Sequence, residues 1–143
     1  VIKNIDFTKK KLMGICLGMQ LLFDTSDEEN LTSGLSLIPG NIKKIKIKND
    51  KNNNCKVPNI GWHKLLTNSN RENLYDINED VYVYFVHSYM AFMNNENHCL
   101  SYINYGSVKI PAIVKKNNIY GCQFHPEKSG LGGINIIKSF LQN

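Results

Sequence analysis

Long hydrophobic runs are missing from this chain of 143 residues. No stretch approaches 18 consecutive apolar residues, so a helical membrane span is not expected. No charged segment followed by an apolar one opens the sequence, and no secretion signal is visible. Arginine is nearly absent: Arg71 is the only one, and lysine supplies most of the net charge of +5. The basic run Lys43, Lys44, Lys46 and Lys48 alternates with Ile42, Ile45 and Ile47. Without arginine or interleaved aromatics it reads as the wet face of a strand rather than a nucleic-acid site. Cys16, Cys55, Cys99 and Cys122 show no Cys-x-x-Cys spacing, which argues against zinc and redox pairs. The histidines share no metal-ligand spacing either, so no metal and no cofactor are expected. There is no internal repeat and no linker, and the apolar content of 42% suits one domain spanning residues 1–143.

What is present begins with Gly14-Ile15-Cys16-Leu17-Gly18-Met19-Gln20. An apolar run ends at a cysteine flanked by glycines, and a helix-like segment follows. This suits a nucleophile elbow, a sharp strand-to-helix turn that exposes one reactive side chain. The following helix would aim its N–H groups at the sulfur and favour the thiolate. By itself the pattern fits a small buried cysteine about equally well.

A second motif shifts that balance: Gly121-Cys122-Gln123-Phe124-His125-Pro126-Glu127-Lys128-Ser129. A strand ending near Phe124 would leave His125 at its exit, with Pro126 stiffening the turn. A cysteine nucleophile needs a base, and the base needs a partner to set its tautomer. Cys16, His125 and Glu127 can fill those roles as a Cys-His-Glu triad. If Cys16 is catalytic, the compartment is reducing and cytoplasmic.

Together the two motifs resemble the signatures of class I glutamine amidotransferases, which hydrolyse the side-chain amide of glutamine and deliver ammonia to a partner site. Pro58-Asn59-Ile60-Gly61-Trp62, Tyr84-Phe85-Val86-His87-Ser88-Tyr89, Gly34 to Gly40 and His125 to Ser129 resemble one branch. That branch is the glutaminase subunits of imidazole glycerol phosphate synthase, in histidine biosynthesis. The resemblance implies a flavodoxin-like three-layer α/β sandwich with added antiparallel strands. It implies glutamine as substrate and a heterodimer with a (β/α)₈ synthase/cyclase subunit. It also implies that Gln20, the Leu17 N–H and the Ser88-Tyr89 backbone hold glutamine, and that Trp62, Tyr84 and Lys128 lie at the partner interface. His87 is expected to be structural or interfacial, His63 and His98 superficial, and Cys55, Cys99 and Cys122 ordinary packing or surface thiols.

The sequence departs from the branch in one segment, usually Pro-His-x-Gly-Trp-Asn. Asn59 stands in place of the histidine and His63 in place of the asparagine, both expected on the partner-facing surface. This keeps open a paralogous glutaminase serving a surface-sugar amidotransferase. A non-catalytic binding module and a cysteine peptidase or hydrolase of related fold are further alternatives.

Strands are expected at Leu12–Cys16 (parallel and central), Asn41–Lys48, Gly61–Leu66, Val81–Phe92, His98–Tyr105, Ile110–Val114 and Ile119–Phe124. Val1–Lys10 reads as a helix tail and loop, Met19–Asp24 as the start of a helix, Thr25–Ser33 as a loop, and Asn49–Lys56 as a polar excursion. Asn117-Asn118 marks a hairpin turn. A closing helix over Leu131–Leu141 would pack Ile134, Ile137, Phe140 and Leu141. Only about ten residues precede the first strand and residue 1 is valine, so an N-terminally incomplete domain is expected, lacking its first βα units. The resemblance places a second oxyanion donor in that region. Without it, turnover by this chain would fall by roughly 10²–10³.

Overall fold

The structure, a computed structural model, describes residues 2–47, 55–67 and 80–142. A 3-10 turn at Ile2–Asn4, rather than a helix tail, precedes β1 (Leu12–Ile15). The chain passes through Cys16 into α1 (Leu17–Gln20), a helix of only one turn. The expected Thr25–Ser33 loop holds two short strands, β2 (Thr25–Ser26) and β3 (Thr32–Ser33). β4 (Gly40–Lys44) follows, starting one residue early and ending before the last lysines of the run. Ile42 and Ile45 are buried beneath the exposed Lys43 and Lys44, so the wet face is there. Most of the expected polar excursion lies outside the described residues.

β5 (Asn59–Lys64) and β6 (Leu66–Thr67) are separate strands. The long strand expected over Val81–Phe92 is broken at Ser88 into β7 (Tyr82–His87) and β8 (Tyr89–Met93), which pair in different sheets. β9 (Cys99–Tyr105), β10 (Val108–Lys116) and β11 (Ile119–Cys122) form an antiparallel run. Asn117 takes a left-handed φ of 54° in the turn between the last two, a conformation asparagine tolerates. The chain closes with α2 (Gly130–Gln142).

Among the described residues three sheets result: β1-β11-β10-β9-β6, β3-β2-β4-β8, and the ribbon β5-β7. The fold is α/β, with few helices among the described residues. β1 is parallel to β11, as expected, but stands at the end of its sheet and not at the centre. One apolar cluster centres on Phe85, Phe124, Ile103, Ile110, Ile113 and Ile136. A second gathers Met19, Leu22, Phe23, Ile38 and Ile42 around α1. The packed face of α2 is Gly133 and Ile136, with Ile137 and Phe140 partly buried. Ile134 and Leu141 point outward instead. The apolar residues of this helix support two phases one residue apart. Gly133 settles the choice, because a Cβ there would lie 2.0 Å from the Pro126 carbonyl oxygen.

The seat of α1 depends on two glycines paired across the parallel strands, Gly14 and Gly121. A Cβ on Gly14 would come within 2.4 Å of the Gly18 carbonyl oxygen, which is backbone and cannot yield. A Cβ on Gly121 would meet the Met19 Cγ at 2.6 Å and the Val114 Cγ2 at 2.9 Å, which can partly rotate away. Overpacking of this kind costs about 1–3 kcal/mol. Gly14→Ala is therefore expected to destabilise the fold more than Gly121→Ala. Urea unfolding of both variants checks this, and equal or reversed effects would refute the packing account.

Candidate active site

The nucleophile position is built by a backbone few residues adopt. Cys16 has φ 53° and ψ −111°, outside the left-handed helical well and costly by about 1–3 kcal/mol for a residue with a Cβ. The turn is held by the Cys16 N–H, which donates to the Cys122 carbonyl at 2.7 Å, and by the Gln20 N–H, which donates to the Cys16 carbonyl at 3.2 Å. Gly14 and Gly121 let α1 fold back over the strands. The strand-to-helix elbow expected from the sequence is thus present.

Its electrostatics differ from expectation. Burial is the largest influence on the Cys16 thiol and pushes it up. The Leu17 backbone N–H, aimed at the sulfur, opposes this, while the charges of Glu127 and Glu28 add to it. A one-turn helix contributes too little dipole to outweigh desolvation. Cys16 is a thiol at rest, and its proton would have to pass to a base before the sulfur could attack. Cys122, one strand away, is fully buried and its thiol is pushed up to about 12, which leaves it inert.

The base arrives on the neighbouring strand. β11 runs parallel to β1 with Ile15 opposite Cys122, so both strands release their next residues at the same carboxyl end. Past Phe124, His125 Nδ1 sits 2.7 Å from Glu127 Oε1. Partial burial raises the Glu127 carboxyl, but the hydrogen bond to His125, a backbone N–H and the charges of His125 and Lys128 hold it below its ordinary value. Glu127 stays a carboxylate and fixes the His125 ring with Nδ1 protonated, leaving Nε2 free to accept a proton.

Ser129, to which the sequence assigned no role, holds this loop. Ser129 is buried, donates its hydroxyl to the His125 carbonyl at 2.6 Å and accepts the Tyr84 N–H at 3.0 Å. The His125 N–H donates to the Tyr84 carbonyl at 2.9 Å. Tyr84 of β7 therefore grips the His125–Ser129 segment through both backbone groups. Gln123, buried before Phe124, accepts the Gln20 amide at 3.0 Å, and its own Nε2 finds no partner among the described residues. Gln123 lies inside the second motif, but its pairing with Gln20 has no local signal, because the two are 103 residues apart.

The expected substrate contacts are more occupied than anticipated. Gln20 is buried, and its amide N–H groups go to the Tyr89 carbonyl at 3.2 Å and to Gln123. Its Oε1 is what remains for a ligand. The Ser88 carbonyl accepts the Ile45 N–H, and the Tyr89 carbonyl also accepts from His87 Nδ1 at 2.8 Å. Leu17 and Gln20 border a hollow of about 40 Å³ with Thr25, Ser26, Thr32 and Ser33, room for roughly three waters.

The β5-β7 ribbon presents two different faces. Outward lie Ile60, Trp62 and Tyr82, each more than half exposed, with Val86 beside them. Trp62 and Tyr84 are cross-strand partners whose rings sit 5.9 Å apart. Lys128 is exposed at the end of the Pro126–Lys128 turn. Inward lie Asn59, Val83, Phe85 and His87, all buried. Asn59 and His63 are thus not on the outward surface, as the sequence had led one to expect. They are bonded to each other, His63 Nε2 to Asn59 Oδ1 at 2.8 Å. His63 is half-buried rather than superficial.

Residues 1–143 match the family described as glutamine amidotransferase class-I over their whole length. The chain belongs to that family. Within the class I amidotransferases it is 46% identical over 131 residues to the imidazole glycerol phosphate synthase subunit HisH of Bacillus subtilis (strain 168), covering 92% of this chain and 61% of that protein. The subunit of the same name from Bacillus thuringiensis (strain Al Hakam) is 44% identical over 144 residues, covering 98% and 63%. The chain therefore spans about three fifths of the length of these curated relatives. A solved glutamine amidotransferase superposes with a TM-score of 0.62 at 14% identity, over 92% of this chain and 59% of that one, which bears on the fold. Among the described residues no helix is long and apolar enough to cross a membrane, and no group of side chains is placed to hold a metal ion.

One titration follows from the inward face. Burial depresses His87 to about 4, against a smaller upward pull from the Tyr89 carbonyl, and the nearby His63 adds to the depression. An unfolded histidine titrates near 6.5. The folded pKa is the lower one, so the stabilisation is complete above about pH 6.5 and is lost as pH falls towards 4. Its span is roughly 3 kcal/mol. Urea unfolding is expected to show a loss of that order between pH 7 and 4 that is smaller in His87→Gln, and an unchanged pH slope in the variant would contradict the assignment.

Proposed function

We propose that this chain carries the glutaminase chemistry of an amidotransferase. The observation that supports it best is the delivery of Cys16 and the His125–Glu127 pair by adjacent parallel strands to one carboxyl edge, where α/β sheets bind ligands. Cys16 Sγ attacks the side-chain carbonyl carbon of glutamine while His125 takes the thiol proton. The Leu17 N–H stabilises the developing oxyanion. Collapse breaks the C–N bond, His125 returns the proton to the departing nitrogen, and ammonia leaves a thioester on Cys16. His125 then activates water, which releases glutamate and the thiol. Glu127 keeps the imidazole oriented throughout. Gln20 Oε1 and the Ser88-Tyr89 segment are the proposed glutamine contacts.

The expected readout is covalent labelling of Cys16 by diazo-oxonorleucine that glutamine blocks, and its loss in Cys16→Ser and His125→Asn. Labelling that is indifferent to glutamine would sink the reading. A binding module would show no adduct at all.

The recipient of the ammonia is proposed to be the (β/α)₈ cyclase subunit of imidazole glycerol phosphate synthase, bound as a heterodimer in the cytoplasm. Support comes from the relatives named as subunits of that synthase and from the apolar face of Ile60, Trp62, Tyr82 and Tyr84 beside the His125 loop. Aromatic residues of this kind are where binding energy concentrates. Trp62→Ala is expected to weaken the heterodimer by about 30-fold or more in Kd, measured by calorimetry. Unchanged affinity would move the interface elsewhere.

A further inference from the structure

The chemistry just described leaves a buried polar chain unexplained. His63 Nε2 lies 2.8 Å from Asn59 Oδ1, and Asn59 Nδ2 lies 3.0 Å from His87 Nε2. His87 Nδ1 lies 2.8 Å from the Tyr89 carbonyl, the same oxygen that accepts from Gln20 Nε2 at 3.2 Å. Gln20 Nε2 continues to Gln123 Oε1 at 3.0 Å. The chain runs from the middle of β5 to the residue one helical turn beyond the nucleophile.

Its polarity admits a single assignment. A carbonyl can only accept, so His87 carries its proton on Nδ1. The lone pair of neutral His87 is then on Nε2 and must receive an N–H from Asn59. That turns Asn59 Oδ1 towards His63, which donates from Nε2. On the far side the Gln20 NH₂ must face Tyr89, which leaves its Oε1 as the acceptor. Reversing any one bond sets donor against donor or acceptor against acceptor in a buried setting, a fault of about 1–3 kcal/mol.

We propose that Asn59 and His87 are positioning residues for the glutamine site, fixing the Tyr89 carbonyl and through it the side-chain orientation of Gln20. The exchanged pair Asn59 and His63 serves as one unit in this role: an imidazole and a carboxamide in contact. The inference rests on the glutaminase reading.

The test is Asn59→Asp in the intact protein, a near-isosteric change that removes the donor to His87 Nε2. Steady-state glutaminase assays are expected to show KM for glutamine raised about tenfold or more, with kcat less affected. Two-bond ¹⁵N–¹H spectra are expected to show neutral His87 protonated on Nδ1 in the wild type at pH 7, and protonated on both nitrogens in the variant. If Asn59→Asp does not fold, the exchange double variant Asn59→His with His63→Asn is read against the single Asn59→His. The double variant should recover KM to within about threefold of wild type. An Nε2–H tautomer of His87 in the wild type, or turnover with unchanged KM in Asn59→Asp, overturns this proposal alone. The Nδ1–H tautomer in a protein that does not turn over glutamine overturns the glutaminase reading and this one with it.

Discussion

The parallel pairing of β1 with β11 is the constraint on which the rest depends. It joins segments more than 100 residues apart and ends in the hydrogen bond from the Cys16 N–H to the Cys122 carbonyl. That bond pins the strained cysteine and sets the level at which His125 leaves the neighbouring strand. The paired glycines beneath α1 serve the same seat, since a side chain on Gly14 would meet the helix backbone and one on Gly121 would crowd Met19 and Val114. A parallel pair is needed because an antiparallel one would send nucleophile and base to opposite edges.

The β5-β7 ribbon presents two different faces by alternation. Its outward positions form an aromatic and aliphatic surface, and its inward positions form a polar line ending at Gln20. Between them the Tyr84 backbone clamps the His125–Ser129 loop. A strand that carries Trp62's cross-strand partner thus also holds the base.

The reactive thiol shows two demands in opposition. Burial excludes water from the attack but disfavours the thiolate, and the Leu17 N–H recovers only part of that loss. The balance leaves Cys16 above the ordinary thiol value, so a base would have to take its proton before the sulfur could attack. Burial acts without opposition at Cys122, which keeps the chemistry on one sulfur.

Short-range patterns were legible in the residues alone. The Gly-x-Cys-x-Gly elbow and the His125–Glu127 pair lie within a few residues of themselves, so local spacing carries them. Most strands and the Asn117 hairpin were equally readable from alternation and turn chemistry. The phase of α2 was misread because its apolar residues fit two faces, and only the carbonyl of Pro126 against Gly133 decides between them. The break at Ser88 has no local signal because strand-forming residues continue on both sides of it, and it takes two different sheets to separate them. Asn59 and His63 looked like surface substitutions. Their pairing, the clamp at Ser129 and the anchoring of Gln20 to Gln123 are contacts between distant strands, whose register no single segment encodes. The sequence by itself determined which atoms could react. The tertiary structure decided which of them meet and in what protonation state, because burial and cross-strand register are properties of the assembled sheet.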